Sequence, residues 1–327
     1  MAAPASEIAA VLIGRNEGAR LVRALMAVKG RVGCLVYVDS GSTDDSQAAA
    51  RDAGAEVIAL DLSLPFTAAR ARNAGIEALR ALNRRPDFVQ FIDGDCELRA
   101  DWLPMAHEFL SSHPRAAVVC GRRRERFPEA SIYNRLCDAE WDTPIGRTKA
   151  CGGDALVRMA ALDEVGGYNA ALIAGEEPEM CVRLRAQGWE IWRLDAEMTL
   201  HDATMTRFAQ WWKRSRRGGH AAAEGMALHG AAPERHGVAQ VRRALLWGLA
   251  LPVAILVLVF AVSPWALLLL LVYPAQVLRL AIRGGGRRAA WEQALFLTLG
   301  KFAEVQGVGG YWMRKISRSP AKLIEYK

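Results

Sequence analysis

The chain has 327 residues, a hydrophobic fraction of 52%, a mean hydropathy of +0.05 and a formal net charge of +7. That length accommodates one sizeable α/β domain with an appendage. The positive balance raises a nucleic-acid partner, but there is no zinc-finger spacing, RRM-like motif or long basic tract, and nucleic acid is set aside. The cysteines at 34, 96, 120, 137, 151 and 181 form no C-x-x-C pair, which excludes a zinc ribbon or redox motif. Met1–Glu7 lacks a basic segment followed by an apolar one, so no secretory leader is expected and the main domain belongs in a reducing cytosol. In chain order, Ile8–Ile13 reads as a first strand, and Leu21, Leu25 and Val28 follow at helical spacing. Cys34–Val38 is a second strand, stopped by Asp39-Ser40-Gly41-Ser42, with Thr43 or Asp44 as cap of the next helix. Glu56–Leu60 is a third strand, Arg70–Leu82 a helix broken by Pro86, Phe88–Ile92 a fourth strand and Ala116–Cys120 a fifth.

Strands alternating with helices predict βαβ units and a mostly parallel sheet covered on both faces. Ligands of such sheets sit beyond the carboxyl ends of the strands, where Arg15-Asn16-Glu17, Asp39–Asp45 and Asp93-Gly94-Asp95 fall. After Gly121 the regularity fades. Arg122–Arg126 reads as a solvated edge, Glu176–Gln187 as a helix and Trp189–Leu194 as a strand.

The last third changes character. Arg207–Met226 reads as an amphipathic helix with Trp211, Trp212 and several arginines, suited to a membrane interface. Ala244–Val262 and Trp265–Ile282 are apolar runs separated by Ser263-Pro264, each near the length that crosses a bilayer. A hairpin of the two puts Arg242-Arg243 and Arg287-Arg288 on one side, as the positive-inside rule expects, and anionic membrane lipid is a natural partner. The alternatives are two buried helices of a soluble core, or a re-entrant hairpin. Ala294–Tyr311, interrupted by Lys301 and Glu304, reads as interfacial or packed on the hairpin. The expected division is 1–205 for the α/β domain, 206–240 for the interface helix and linker, and 241–327 for the membrane-associated region.

Asp93-Gly94-Asp95 is the sharpest chemical feature. Two carboxylates at the end of an apolar strand offer hard oxygen ligands to Mg²⁺ or Mn²⁺ and leave positions for diphosphate oxygens. Asp39 can accept from a nucleobase or ribose, or close an Asx turn. Gly175-Glu176-Glu177-Pro178-Glu179 opens a helix. Dipole compensation explains one of its acids, while a general base acting on an acceptor hydroxyl explains another. His201 can complete the metal site. Arg214 and Arg217 can clamp a diphosphate or contact lipid headgroups.

Taken in order, Ile13-Gly14-Arg15-Asn16-Glu17, Val38-Asp39-Ser40-Gly41-Ser42-Thr43-Asp44, Ala69-Arg70-Ala71-Arg72-Asn73-Ala74-Gly75, Phe91-Ile92-Asp93-Gly94-Asp95, Gly152-Gly153-Asp154, Gly166-Gly167-Tyr168 and the 175–179 acids resemble the inverting GT-A glycosyltransferases of family 2. The resemblance covers roughly residues 7–200. It implies that Asp39 contacts the nucleotide base with Arg15 and Glu17 nearby, that Arg72 and Asn73 border the nucleotide pocket, and that Asp93 and Asp95 form the metal and diphosphate site. The family's Glu-Asp base motif is here Glu176-Glu177, a departure that leaves either Glu as the base. Gln210-Trp211-Trp212-Lys213-Arg214 only loosely echoes the motif of processive members, which speaks against a polymerising synthase. The implied partners are a nucleotide-sugar donor, UDP-linked by family analogy, and a lipid-linked or glycan acceptor at the cytoplasmic face of a cell inner membrane. A nucleotidyltransferase is the competing enzyme reading, disfavoured because Gly14-Arg15-Asn16-Glu17-Gly18 is too short and acidic for a phosphate loop. A non-catalytic membrane scaffold is the other, and the intact carboxylates oppose it.

Overall fold

The computed structural model describes residues 7–82, 85–318 and 324. The leader reading of the first residues therefore lies, for 1–6, outside the described residues. The chain forms two compact units: Met1–Pro128 with Cys137–Thr204, and Glu129–Leu136 with Met205–Lys327.

The first unit is built on a nine-stranded sheet. In chain order it carries β1 (Ile8–Gly14), α1 (Ala19–Val28), β2 (Cys34–Asp39), α2 (Ser46–Asp52), β3 (Glu56–Ala59), α3 (Ala68–Arg80), β4 (Phe88–Asp93), β5 (Cys96–Leu98), α4 (Trp102–Ser112) and β6 (Ala116–Glu125). After α5 (Ile132–Glu140), which crosses the unit boundary, come β7 (Gly146–Thr148), β8 (Ala155–Arg158), α6 (Met159–Val165), α7 (Glu176–Ala186) and β9 (Glu190–His201). The sheet order is β3-β2-β1-β4-β8-β6-β9-β5, with β7 on β9. β1 and its neighbours β2 and β4 are parallel, and their near-continuous apolar runs are buried, as an interior strand covered on both faces requires.

The α/β class follows the sequence pattern, but the sheet is mixed. β8 runs antiparallel to both β4 and β6, and β5 and β7 run antiparallel to β9. These three antiparallel strands are three or four residues long, too short to leave a period-2 signature. Two local expectations also change. Asp45, not Thr43 or Asp44, stands at the N-cap of α2; Asp44 Oδ1 instead accepts from Ser46 N at 3.1 Å as an Asx turn. Arg122–Arg126 is no solvated edge, because β6 extends through Glu125 beside β9 and carries Arg123 inward, 6% exposed.

The second unit is helical. α8 (Phe208–His229) precedes a continuous helical run of α9 (Val238–Leu245), a π-turn segment (Leu246–Ala250) and α10 (Leu251–Ala261). A 3₁₀ segment (Pro264–Leu271) leads into α11 (Val272–Arg283), and α12 (Arg288–Ser317) closes the unit. α8 and α12 cross at backbone contact: a Cβ on Gly219 would lie 2.1 Å from Glu304 O, and one on Gly307 2.0 Å from Arg216 O. Small residues at a close helix crossing are the packing mode of membrane bundles. Among the described residues, two helices, Val238–Ala261 and Pro264–Arg283, are long and apolar enough to cross a membrane, and their most apolar windows are only 11% and 6% buried. The two helices are thus not the buried core of this unit.

Candidate active site

The floor of the site is three neighbouring strand ends. The register sets Gly14 opposite Asp39 and Ile13 opposite Asp93, so the loops after β1, β2 and β4 emerge side by side. Hydrogen bonds lace the first two together: Asn16 N donates to Ser42 Oγ at 2.9 Å, Thr43 N to Asn16 Oδ1 at 2.7 Å and Gly18 N to Asp44 Oδ2 at 3.1 Å. Gly94 N donates to Ile13 O at 2.8 Å and ties the acid turn to the end of β1. Arg15 lies over the Phe66 ring at 4.8 Å, and Glu17 pairs with Arg20 at 2.8 Å.

Asp39 is fully buried and directed at its own turn. Its Oδ2 accepts from Gly41 N at 3.1 Å, Ser42 N at 2.9 Å and Gln47 Nε2 at 2.9 Å, and its Oδ1 from the Tyr37 hydroxyl at 3.1 Å. Burial alone would raise its pKa; the Ser42, Gln47 and Tyr37 donors outweigh burial and hold the carboxyl below its ordinary value. Asn73 is likewise committed: its amide donates to Tyr168 O at 2.7 Å and accepts from Tyr168 N at 2.9 Å, clamping the Gly166-Gly167-Tyr168 turn to α3.

Arg72 is the hub. It is 2% exposed on α3, and it contacts Asp93 Oδ1 at 2.8 Å, Glu177 Oε1 at 2.7 Å and Glu176 Oε1 at 3.2 Å. A single buried guanidinium therefore joins the acid turn of β4 to the first turn of α7. Gly153 makes room for this contact, since a Cβ there would fall 2.5 Å from Arg72 Nη2 and 2.7 Å from Asp93 Oδ2. Arg123 supplies a second cation, at 3.0 Å from Asp93 Oδ2 and 2.8 Å from Asp154 Oδ2, with its guanidinium over the Trp141 ring at 4.8 Å. Asp154 in turn accepts from Asp93 N at 2.9 Å and from Thr199 Oγ1 at 2.8 Å. Sequence reading missed Arg123; only its proximity in space to Asp93 reveals it.

The acids opening α7 divide their work. Glu179 pairs with Arg183 one turn on at 2.8 Å, a local helix contact. Glu176 and Glu177 both reach Arg72. Burial, reinforced by the neighbouring Glu176 charge and opposed by Arg72, pushes the Glu177 carboxyl up to about 7. A carboxylate poised there is matched to base work near neutrality.

Among the described residues, two groups of side chains have the spacing to hold a metal: Asp93, Cys96 and Asp154, and Asp95, Cys96 and His201. The first is already neutralised by Arg72 and Arg123. In the second, Cys96 offers a soft sulfur poorly matched to a hard ion, and burial pushes its thiol pKa up. Asp95 and His201 remain. His201 Nε2 lies 3.5 Å from Asp95 Oδ2, a spacing open to two ligands of one ion, each about 2.1 Å from it. The residues fit Mg²⁺ or Mn²⁺. Arg214 and Arg217 lie on α8, in the second unit.

The fold is that of the GT-A glycosyltransferases. It matches a mannosyltransferase of Pyrobaculum calidifontis, solved with GDP-Man and Mn²⁺, at a TM-score of 0.67 and 18% identity over 94% of this chain and 88% of that one. Residues 11–159 match the family model described as glycosyl transferase family 2. An uncharacterized glycosyltransferase of Rickettsia felis is 35% identical over 107 residues, 33% of this chain and 35% of that protein. A TPR repeat-containing protein of Synechococcus elongatus is 30% identical over 137 residues, 42% of this chain and 32% of that protein. The chain thus spans about a third of the length of the curated relatives it matches.

Proposed function

We propose that the chain is an inverting glycosyltransferase that moves a sugar from a nucleotide-sugar, UDP-linked by analogy, to a hydroxyl of a lipid-linked or membrane-proximal glycan. The observation that carries the reading is Arg72, which holds Asp93 on the strand-end side and Glu177 on the α7 side of one charge network. Glu177 takes the acceptor proton. The acceptor oxygen then bonds to the anomeric carbon as the bond from that carbon to the diphosphate breaks, which inverts configuration without a covalent enzyme adduct. Glu176 raises the affinity of Glu177 for that proton, and Arg72 keeps the pair of acids from repelling each other apart. Asp95 and His201 would hold Mg²⁺ or Mn²⁺, which would supply positive charge for the departing nucleoside diphosphate. Asp39 fixes the turn that borders the nucleobase, with Arg15, Glu17 and the Asn73-clamped turn around it. Arg214 and Arg217 serve a diphosphate or lipid headgroups.

The exposed apolar hairpin and its basic flanks support placement at the cytoplasmic face of a cell inner membrane, in exopolysaccharide or cell-envelope glycan synthesis. The test is a panel of nucleotide-sugars with Mg²⁺ or Mn²⁺, scored for released nucleoside diphosphate in the presence of lipid-linked acceptors. Turnover of one donor that vanishes in Glu177→Gln supports the reading. No turnover or donor binding across the panel overturns it.

A further inference from the structure

We propose that Glu125 is the positioning residue for His201: it fixes the proton on Nδ1 and aims the bare Nε2 at Asp95. The inference takes its purpose from the metal reading above, but its geometry stands apart from it. Glu125 is the last residue of β6, His201 the last of β9, and the strand register pairs them directly. On the other side of β9, Cys96 of β5 pairs with the same histidine, which brings the Asp95 turn alongside. His201 is therefore held by backbone pairing between the carboxylate at the end of β6 and that of the turn before β5.

The Glu125 side chain is 5% exposed and both of its oxygens are used. Oε2 lies 2.9 Å from His201 Nδ1, and Oε1 accepts from Ala203 N at 3.1 Å. The carboxylate oxygen accepts, so the ring nitrogen facing it is the donor and the lone pair falls to Nε2. At 3.5 Å from Asp95 Oδ2, that lone pair is too far for a good hydrogen bond and would face a second acceptor. A cation between the two resolves the conflict. A carboxylate behind a ligating histidine sets ring angle and tautomer in this way at metal sites generally, and its loss weakens metal affinity about 10- to 100-fold.

Glu125→Gln separates positioning from support. A glutamine can still accept from Ala203 N, which preserves the chain turn. Its remaining amide N–H then faces Nδ1 as a donor and drives the ring proton to Nε2, where it meets Asp95 and blocks a metal. The experiment uses the full chain in nanodiscs, with ¹⁵N-labelled histidine and Mn²⁺ as probe. Ring-nitrogen shifts followed across a pH series are assigned to His201 by comparison with His201→Asn. The expected result is an Nδ1–H ring in the wild type, an Nε2–H ring in Glu125→Gln, an unchanged melting temperature, and Mn²⁺ affinity by electron paramagnetic resonance reduced about 10- to 100-fold. A wild-type ring protonated on Nε2 or, throughout the series, on both nitrogens overturns the proposal, as does a Glu125→Gln ring identical to wild type. If the wild type binds no Mn²⁺ with or without UDP, the metal reading fails, and the ring-nitrogen shifts still decide the role of Glu125.

Discussion

The sheet unit encloses paired charges, whereas the helical unit exposes large apolar side chains. In the sheet unit Arg72, Arg123, Asp154 and Glu176 are each at most 6% exposed, and every one is ion-paired. In the helical unit Phe260, Trp265 and Leu271 are 86%, 78% and 62% exposed. Water explains the first unit: charges leave it only when paired. It does not explain the second, where a contiguous apolar surface facing water would invite association. The contrast is between a unit whose buried charges are paired and a unit with two helices long and apolar enough to cross a membrane.

The largest expected effect tests the site. Glu177→Gln should lower kcat by about 10²- to 10⁴-fold, the usual share of a general base. In the wild type the rate should rise as pH climbs through about 7, because Glu177 acts only when deprotonated and burial holds its proton on up to that point. An acid limb unmoved by Glu177→Gln would assign the base elsewhere. Next, Arg123→Met strands Asp154 as a buried negative charge and removes one of the two cations on Asp93, and should destabilise the sheet unit by about 3–5 kcal/mol. Denaturant melts followed by tryptophan fluorescence measure it; a loss near zero would mean the network is hydrated.

The helical unit offers the converse test. Val253 is 48% exposed near the middle of the first apolar run. Val253→Arg in a bilayer should cost about 2.5–3.5 kcal/mol of insertion, whereas an exposed position in water tolerates it within about 0.5 kcal/mol. Retention in carbonate-washed membranes distinguishes the two. The smallest effect belongs to the flanking arginines. Neutralising Arg287 should remove about 1 kcal/mol of the preference for anionic over zwitterionic nanodiscs, and added salt should erase the difference. Equal stability in both lipids would leave the basic flank without a lipid role.

Much of this was legible in residue order. The apolar runs before Gly14, Asp39 and Asp93 announced parallel strands, and the polar residues after each fall at neighbouring strand ends. The hairpin was legible from length and composition. Arg123 and Glu125 were not, because an arginine-rich stretch carries no period that distinguishes an inward from an outward strand face. The three- and four-residue strands β5, β7 and β8 were equally silent, and with them the mixed character of the sheet.

By itself, the order of residues determined the α/β alternation, the acid turn after β4 and the two lengths of apolar helix, since each depends on neighbours within a few positions. Which carboxylate meets which cation was decided only in three dimensions. Arg72 and Glu177 are brought together from α3 and α7, and Glu125 and His201 by the pairing of β6 with β9. Strand register and helix packing act between segments far apart in sequence, and the charges they bring into contact share no local signal that could have revealed the pairing beforehand.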